Sequence, residues 1–215
     1  MGGLPSQVDS LCGARGDSGE SEAARRIKTE FLVQMQGVSS TTDPPDKRVL
    51  VLAATNTPHS LDQALRRRFD RRIYIPLPDA SARRQMIHLH LGKDTPHTLT
   101  NEDLDRIAAE TERFSGSDMA VLVKDVLFQP VRKTQEATAF RAVEGGLYEP
   151  CSPGEPDAFE ATLASFVEIG SALKVVPPFV TRMDFEFALM RARPTVSEAD
   201  LACFERFTEE FGEDG

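Results

Sequence analysis

The chain has 215 residues, and its 25 Lys and Arg against 34 Asp and Glu give a formal net charge of −9. The composition is ordinary for a globular protein, and the length suffices for one domain of good size. No apolar run approaches the roughly 18 residues of a membrane helix, and the N-terminus has no signal-peptide pattern. The acidic balance argues against bulk electrostatic binding of nucleic acid, although a local basic patch is compatible with it.

The cysteines are Cys12, Cys151 and Cys203. They lie too far apart along the chain for a disulfide framework, and no C-x-x-C pair indicates a zinc site. We therefore expect a reduced, cytosolic chain without a metal site.

The first part of the chain predicts two helices and two strands. A helix is expected at Glu22–Gln36, because apolar residues recur there at helical spacing. Its apolar stripe is Ala24, Ile27, Phe31 and Met35. The continuous apolar run Val49–Ala54 is typical of a strand buried on both faces of a parallel sheet. A short helix at Ser60–Phe69 and a strand at Arg72–Ile75 are expected to follow.

From Asp79 onward the pattern is helical. The apolar faces of three successive helices are Ala82, Met86 and Leu89, then Leu104, Ile107 and Ala108, then Met119, Leu122, Val123 and Val126. Pro130 is expected to perturb or end the third helix. Residues 141–180 fit short strands or loop better than helix, and helices are expected again at Met183–Arg191 and Ser197–Phe211.

Two predicted strands make a poor parallel sheet, because such sheets need several strands covered on both faces. We therefore expect an α/β fold in which a partial parallel-sheet domain precedes a helical subdomain. Other strands of that sheet are expected to lie outside these 215 residues.

Four segments together resemble one protein family. They are Gly19–Gly37, Val51–Pro78, Phe114–Lys133 and Arg193–Gly212. In them the chain is similar to the C-terminal half of the AAA module of the vacuolar protein sorting-associated protein 4 family of AAA ATPases. Katanin and spastin, the near relatives of that family, share the R-R-F-x-R-R core. The C-S-P-G run at 151–154 favours the vacuolar-sorting family.

The resemblance implies a AAA+ fold with three regions. Residues 1–78 would be the C-terminal part of the large α/β subdomain, without its phosphate-binding half. Residues 79–196 would be the helical small subdomain, with a short β insertion at about 141–180. Residues 197–215 would form a C-terminal helix that packs back onto the large subdomain.

Asn56 ends the run V-L-A-A-T-N, which resembles the strand that carries the family's first sensor. The resemblance implies that Asn56 lies close to the γ-phosphate and the attacking water, which a neutral amide can orient. Open α/β sheets bind ligands at the carboxyl ends of their strands, which agrees with this position. The alternative is a turn residue whose side chain hydrogen-bonds the backbone.

A dense basic cluster contains Arg66, Arg67, Arg68, Arg71 and Arg72. By itself such a cluster is a solvated face or a local nucleic-acid patch. The resemblance implies instead that Arg67 and Arg68 are arginine fingers that reach the ATP of a neighbouring ring subunit, where a permanently charged guanidinium suits developing phosphoryl charge. Arg66 is a third candidate, so the choice of two stays open. Arg72 is expected to begin the strand and to pair structurally.

Two further segments resemble sites that contact ligands. Residues 14–22 resemble the second pore loop, which implies that Gly19, Glu20 and Ser21 contact the threaded substrate. The alternative is an ordinary surface loop. Ser115 and Gly116 resemble the start of the second-sensor helix, which implies contact with the nucleotide. The alternative there is a helix N-terminus with a serine cap.

The family uses ATP and Mg²⁺, but their main ligands are not found in this sequence. The 215 residues contain no phosphate-binding loop of the pattern G-x-x-x-x-G-K-S/T. Ser6 and Gln7 stand where the two acids of the Walker B strand belong. The resemblance therefore implies an ATP hydrolase by family, although we expect no activity from this chain alone. We expect an incomplete chain rather than a truncated paralogue, because the match begins abruptly at Val8.

The resemblance implies a hexameric, ATP-driven motor that disassembles ESCRT-III filaments in endosomal and vacuolar sorting. Its partners would be the other ring subunits, the ESCRT-III proteins and an assembly cofactor at the β insertion, with no nucleic acid. Its location would be the cytoplasm, with peripheral association at endosomal membranes. Two alternatives stay open: a non-catalytic module that docks beside or regulates such a ring, and a microtubule-severing protein.

Overall fold

A computed structural model describes residues 26–27, 29–34, 51–69 and 71–212. The chain divides into two compact units, of which the first contains the residues up to Ile75 together with those from Glu198 onward. The second unit is Pro76–Ser197. Each unit is described below by itself.

The described helices in chain order are α1 (residues 26–27 and 29–34), α2 (Gln63–Arg66), α3 (Ala80–Leu91), α4 (Asn101–Glu110), α5 (Gly116–Glu136), α6 (Leu163–Glu168), α7 (Arg182–Leu189) and α8 (Glu198–Phe211). Short 3-10 turns lie at Pro58–Ser60, Glu144–Gly146 and Ala172–Lys174. The strands are β1 (Ala139–Val143), β2 (Leu147–Pro150) and β3 (Phe159–Glu160). This mixture of helices and a small sheet confirms the mixed class expected from the sequence.

In the first unit, the buried side chain of Leu65 is the centre of a small apolar cluster. The residues packed against it are Leu32, Ala53, Leu61 and Phe69. The helix predicted at Ser60–Phe69 is shorter than expected, because the backbone is extended at Leu61 before α2 begins.

The strand predicted at Arg72–Ile75 is wrong, since these residues form no ladder with any described part of the chain. The described end of the other predicted strand, residues 51–54, contains only an isolated bridge position. A strand is stabilised by hydrogen bonds to a neighbouring strand, which an apolar composition cannot replace. Leu52, Ile73 and Ile75 are accordingly exposed.

The second unit has a helical core formed by α3, α4, α5 and α7. Its buried side chains include Ile87, Leu91, Leu104, Ile107, Met119, Leu122, Val123, Val126 and Phe185. The face predicted for α3 is partly wrong, because Leu89 is exposed while Ile87 and Leu91 are buried. Each fully buried side chain of this size contributes roughly 1.5–3 kcal/mol to stability.

Helix α5 continues through Pro130 to Glu136 and does not end there. Proline removes one hydrogen bond of the helix ladder and crowds the preceding turn. The helix is held on both sides of this position, since the Gln129 amide donates to the Asp125 carbonyl (3.3 Å) and the Thr134 hydroxyl donates to the Pro130 carbonyl (2.9 Å).

The short strands expected within residues 141–180 are confirmed as an antiparallel sheet of order β2-β1-β3. An aromatic cluster holds this insertion together, with the Phe140 and Phe166 rings 4.9 Å apart and the Tyr148 and Phe166 rings 5.0 Å apart. Phe166 lies on α6, a helix that the sequence pattern did not predict.

Arg83 is a buried hydrogen-bond hub of the second unit. Its Nε and Nη2 donate to the Ala108 carbonyl over 3.1 and 2.7 Å, and its Nη1 donates to the Pro78 carbonyl over 2.7 Å. The Ala108 carbonyl belongs to the last turn of α4, where carbonyls lack partners within the helix. Arg83 therefore ties the end of α4 to the segment that enters α3.

Asp118 joins the beginning of α5 to a distant segment. Its carboxylate accepts hydrogen bonds from the Ser115 N–H (2.9 Å), the Ser115 hydroxyl (2.8 Å) and the Thr195 hydroxyl (2.8 Å). The Asp118 N–H in turn donates to the Ser115 hydroxyl over 3.2 Å, which completes a capping box. The Asp118 carboxylate therefore ties the start of α5 to Thr195, which lies 77 residues further along the chain.

The Asp118 carboxylate is stabilised in its charged form. Burial raises the pKa of Asp118, but the hydrogen bonds from Ser115 and Thr195 together hold that pKa below its ordinary value. The folded state therefore favours the ionised carboxylate more than the unfolded state does.

We expect Arg83→Met to lower the free energy of unfolding by about 2–3 kcal/mol, because it removes the guanidinium donors from the carbonyls of Ala108 and Pro78, of which Ala108 keeps only the Thr111 hydroxyl at 3.2 Å. The matched control is Arg84→Met, which removes a partly exposed pair with Asp105 and is expected to cost about 1 kcal/mol or less. Urea denaturation measures both losses. Equal losses for the two variants would contradict the role of Arg83.

We expect Asp118→Asn to lower the free energy of unfolding at pH 7 by about 1–3 kcal/mol. Because the folded-state pKa is depressed, this stabilisation is present above a pH of about 4 and is lost as the pH falls further. The difference between wild type and variant should therefore narrow in acid. Asp103→Asn is the control, since Asp103 forms the same box with Thr100 at the start of α4. A loss at Asp118 no greater than at Asp103, or one independent of pH, would refute the link to Thr195.

Candidate functional site

Helix α2 and the turn after it present two arginines to solvent. The Asp62 carboxylate accepts a hydrogen bond from the Ala64 N–H (2.7 Å) and so caps the start of α2. Leu65 is buried, and its carbonyl accepts from the Arg68 N–H over 2.8 Å, which closes the turn. Arg67 and Arg68 are exposed at this turn. We call residues 66–69 the arginine turn.

The guanidinium of Arg72 holds the arginine turn at both ends. Its Nη1 donates to the carbonyls of Arg66 and Phe69, each over 2.9 Å. Its Nε donates to the carbonyl of Phe211, the last residue of α8. Arg72 is thus a structural residue, as expected, but it acts through its side chain and not by beginning a strand.

Arg66 has a different environment from the two arginines that follow it. Its guanidinium carbon lies 5.0 Å from the centroid of the Phe211 ring, in cation–π geometry. The Phe211 ring in turn lies 5.1 Å from that of Phe207. Arg66 is half-buried, whereas Arg67 and Arg68 are exposed.

Asn56 is exposed in the loop between residue 54 and the 3-10 turn at Pro58–Ser60. The alternative role of Asn56, in an Asx turn, requires its side-chain oxygen to accept a hydrogen bond from the backbone N–H of residue 58. Residue 58 is a proline, which has no N–H. The local turn is made instead by the Thr55 hydroxyl, which accepts from the Thr57 N–H over 3.0 Å. The Asn56 amide is therefore not used for an Asx turn.

The start of α5 is half-buried at Ser115 and Gly116. Ser115 caps the helix through the box with Asp118, which agrees with the simpler interpretation of this serine as a cap. A Cβ placed on Gly116 would meet only the Met86 methyl, at an ordinary contact distance of 3.8 Å. The packing of the chain itself therefore does not require glycine at this position.

The predicted site residues fall in separate parts of the structure. The first unit contains Asn56, Arg67 and Arg68, and the second contains Ser115 and Gly116. The predicted pore-loop residues lie outside the described residues: Gly19, Glu20 and Ser21.

The sequence did not predict the roles of three residues that organise these sites. Arg72 caps the ends of both α2 and α8, Phe211 contacts Arg72 and Arg66, and Asp118 caps the start of α5. The pattern Ser115-x-x-Asp118 is a capping-box signature and was available in the sequence. The contact between Arg72 and Phe211 joins residues 139 positions apart, and no local pattern signals it.

The described residues lack two features that other kinds of site require. No group of three or more His, Cys, Asp or Glu side chains among them is placed to hold a metal ion. In the same part of the chain, no helix combines the length and apolar character needed to cross a membrane.

Two family profiles match the chain. Residues 6–77 match the ATPase family associated with various cellular activities, abbreviated AAA. Residues 148–212 match the Vps4 C terminal oligomerisation domain. The second match includes β2 from its second residue onward, together with β3, α6, α7 and α8.

The chain is similar to complete proteins and to a solved structure. It is 58% identical over 209 residues to the Arabidopsis thaliana protein SUPPRESSOR OF K(+) TRANSPORT GROWTH DEFECT 1, covering 97% of this chain and 47% of that protein. It is 48% identical over 219 residues to human vacuolar protein sorting-associated protein 4A, covering 97% and 48%.

The crystal structure of the FIGL-1 AAA domain in complex with ADP matches with a TM-score of 0.68 and 35% identity, covering 96% of this chain and 56% of that one. The chain thus spans about half the length of the curated relatives it matches. It belongs to the vacuolar protein sorting-associated protein 4 group of the AAA ATPases.

Proposed function

We propose that this chain is the C-terminal part of an ATP-driven protein-remodelling ATPase that works as a ring. The polypeptide that joins this chain to the phosphate-binding half of a AAA module is called the complete ATPase below. Its function would be the disassembly of ESCRT-III filaments in endosomal and vacuolar sorting. It would act from the cytoplasm, with peripheral association at endosomal membranes.

The observation that carries the proposal is the environment of Arg67 and Arg68. Both are exposed, while the turn that bears them is fixed by Arg72 and by the buried Leu65. Arginines that act on the nucleotide of a neighbouring subunit must be accessible to that subunit and must start from a defined position. Arg66 does not meet the first condition, since it is half-buried and its guanidinium lies over Phe211. Arg67 and Arg68 are therefore our choice for the finger pair.

ATP with Mg²⁺ is the proposed cofactor of the complete ATPase. When bound, the metal would neutralise phosphate charge during phosphoryl transfer. In this chain, Arg67 and Arg68 suit the phosphates of the neighbouring subunit, and Asn56 offers an amide that no Asx turn uses. At the half-buried Gly116, a Cβ would meet only the Met86 methyl at 3.8 Å, which leaves room for an approaching group. We assign no metal ligand to the described residues.

The proposed assembly is a homo-oligomeric ring whose pore loop, with Gly19, Glu20 and Ser21, contacts the threaded substrate. The family description of residues 148–212 as an oligomerisation domain supports the ring. The β insertion offers a surface for the assembly cofactor, because two of its apolar side chains, Ile169 and Leu173, are 71% and 98% exposed. Exposed apolar side chains that lie together commonly mark protein interaction sites.

We expect Arg67→Ala and Arg68→Ala each to lower ATP hydrolysis by the complete ATPase by roughly 10²-fold or more, with ATP affinity unchanged, because fingers act in trans. Arg71→Ala is the control, since Arg71 is an exposed neighbour in the same cluster. Steady-state kinetics and nucleotide binding measure the effect.

The same variants test whether the fingers act between subunits. Hydrolysis by the Arg67→Ala ring should recover when it is mixed with subunits that bind no ATP but retain both arginines. Unchanged hydrolysis in the Arg67→Ala and Arg68→Ala rings, or no recovery on mixing, would refute the finger assignment.

We expect Leu173→Asp to abolish binding of the assembly cofactor of a Vps4 relative, because a charge would be buried at the contact. Leu89→Asp is the matched control, since Leu89 is also exposed but lies on α3. Isothermal titration calorimetry measures binding to each variant. Equal affinity of Leu173→Asp and wild type would exclude this surface.

A further inference from the structure

The end of α8 and the end of α2 share one donor group. Arg66 is the last residue of α2 and Phe211 is the last residue of α8, and Arg72 donates to both of their carbonyls. The last carbonyls of a helix have no partner within it and carry the negative end of its dipole. A guanidinium between two such helix ends donates hydrogen bonds to the carbonyls of both, and its positive charge attracts the negative ends of both helix dipoles.

The shared cap encloses the arginine turn. Arg67 and Arg68 lie between the two carbonyls of the turn that Arg72 binds, those of Arg66 and Phe69. The Nε of Arg66 is shielded from solvent and has no acceptor among the described residues. Its guanidinium is held by the Phe211 ring instead. The first residue of the turn and the residue that clamps the turn therefore both contact the same terminal residue of α8.

We propose that Arg72 and Phe211 are positioning residues for the fingers Arg67 and Arg68, so that the fingers are set only when the end of α8 is docked. This inference rests on the proposed function. Arg72 and Phe211 would not touch the nucleotide, and they would act by limiting the orientations of the arginine turn. A displacement of a catalytic group by about 1 Å can lower the reaction rate roughly 10²-fold.

A purely structural role for these residues predicts a different pattern. Loss of the cap would then lower stability or ring assembly, and any loss of activity would be independent of the fingers. A positioning role predicts that activity falls through kcat, with stability and assembly largely kept. It also predicts that nothing further is lost once the fingers themselves are removed.

The experiment compares Arg72→Gln and Phe211→Leu in the complete ATPase, with and without the double change Arg67→Ala and Arg68→Ala. Arg206→Gln is the control, because Arg206 is an exposed arginine of α8 whose Nε donates to the Ala202 carbonyl of the same helix. We expect each test variant to lower kcat roughly tenfold to hundredfold with little change in KM for ATP.

In the enzyme that already carries Arg67→Ala and Arg68→Ala, Arg72→Gln and Phe211→Leu should cause no further decrease in kcat. Phe211→Tyr keeps the ring under Arg66 and should restore kcat relative to Phe211→Leu. Thermal unfolding and analytical ultracentrifugation report on stability and ring size in each sample.

The inference is overturned if kcat of both test variants equals that of Arg206→Gln. It is also overturned if their losses persist in the finger-less background, or if they follow unfolding or ring dissociation. Failure of the proposed function is a separate outcome, because the complete ATPase with all its native residues would then hydrolyse no ATP.

Discussion

The first unit depends on one guanidinium, that of Arg72. Helix α2 has only four residues, too few to be stable through its own hydrogen bonds. The carbonyls at its C-terminal end accept hydrogen bonds from the planar guanidinium of Arg72, which has several donors. The same guanidinium also donates to the carbonyl at the end of α8. Because arginine stays charged at any physiological pH, this closure does not depend on titration. The geometry of Arg67 and Arg68 is therefore set by a permanent charge at two helix ends.

In the second unit, other charged side chains form the hydrogen bonds that helix ends lack. Arg83 satisfies the end of α4, and Asp118 satisfies the start of α5 while it holds Thr195. An apolar core is not directional and permits several helix orientations, whereas hydrogen bonds to helix termini have defined directions. Both units thus combine apolar packing, which supplies most of the stability, with a few buried or half-buried charges that specify how the helices end.

The sequence predicts the long helices well and their contacts less well. Helices α4, α5, α7 and α8 have periodic apolar residues, and each lies near its predicted place. In α3, the pattern supported a face through Leu89, but the buried face contains Arg83, Ile87 and Leu91. A hydropathy pattern scores arginine as solvent-facing and cannot register that its guanidinium meets a carbonyl of another helix. The strand predicted at Arg72–Ile75 was wrong for a related reason, since the pattern reports composition and not the presence of a partner strand.

The arginine turn illustrates where sequence reasoning stops. Arg66, Arg67 and Arg68 are identical in type and adjacent, so no property of the sequence separates them. Successive residues at a helix end point in different directions, and only one of the three meets the ring of Phe211. An arginine held over a ring of its own subunit must give up that contact before it can bind a phosphate elsewhere, whereas Arg67 and Arg68 are exposed and accessible to another subunit. That difference in accessibility favours Arg67 and Arg68 as the proposed finger pair, while Arg66 holds the end of α2.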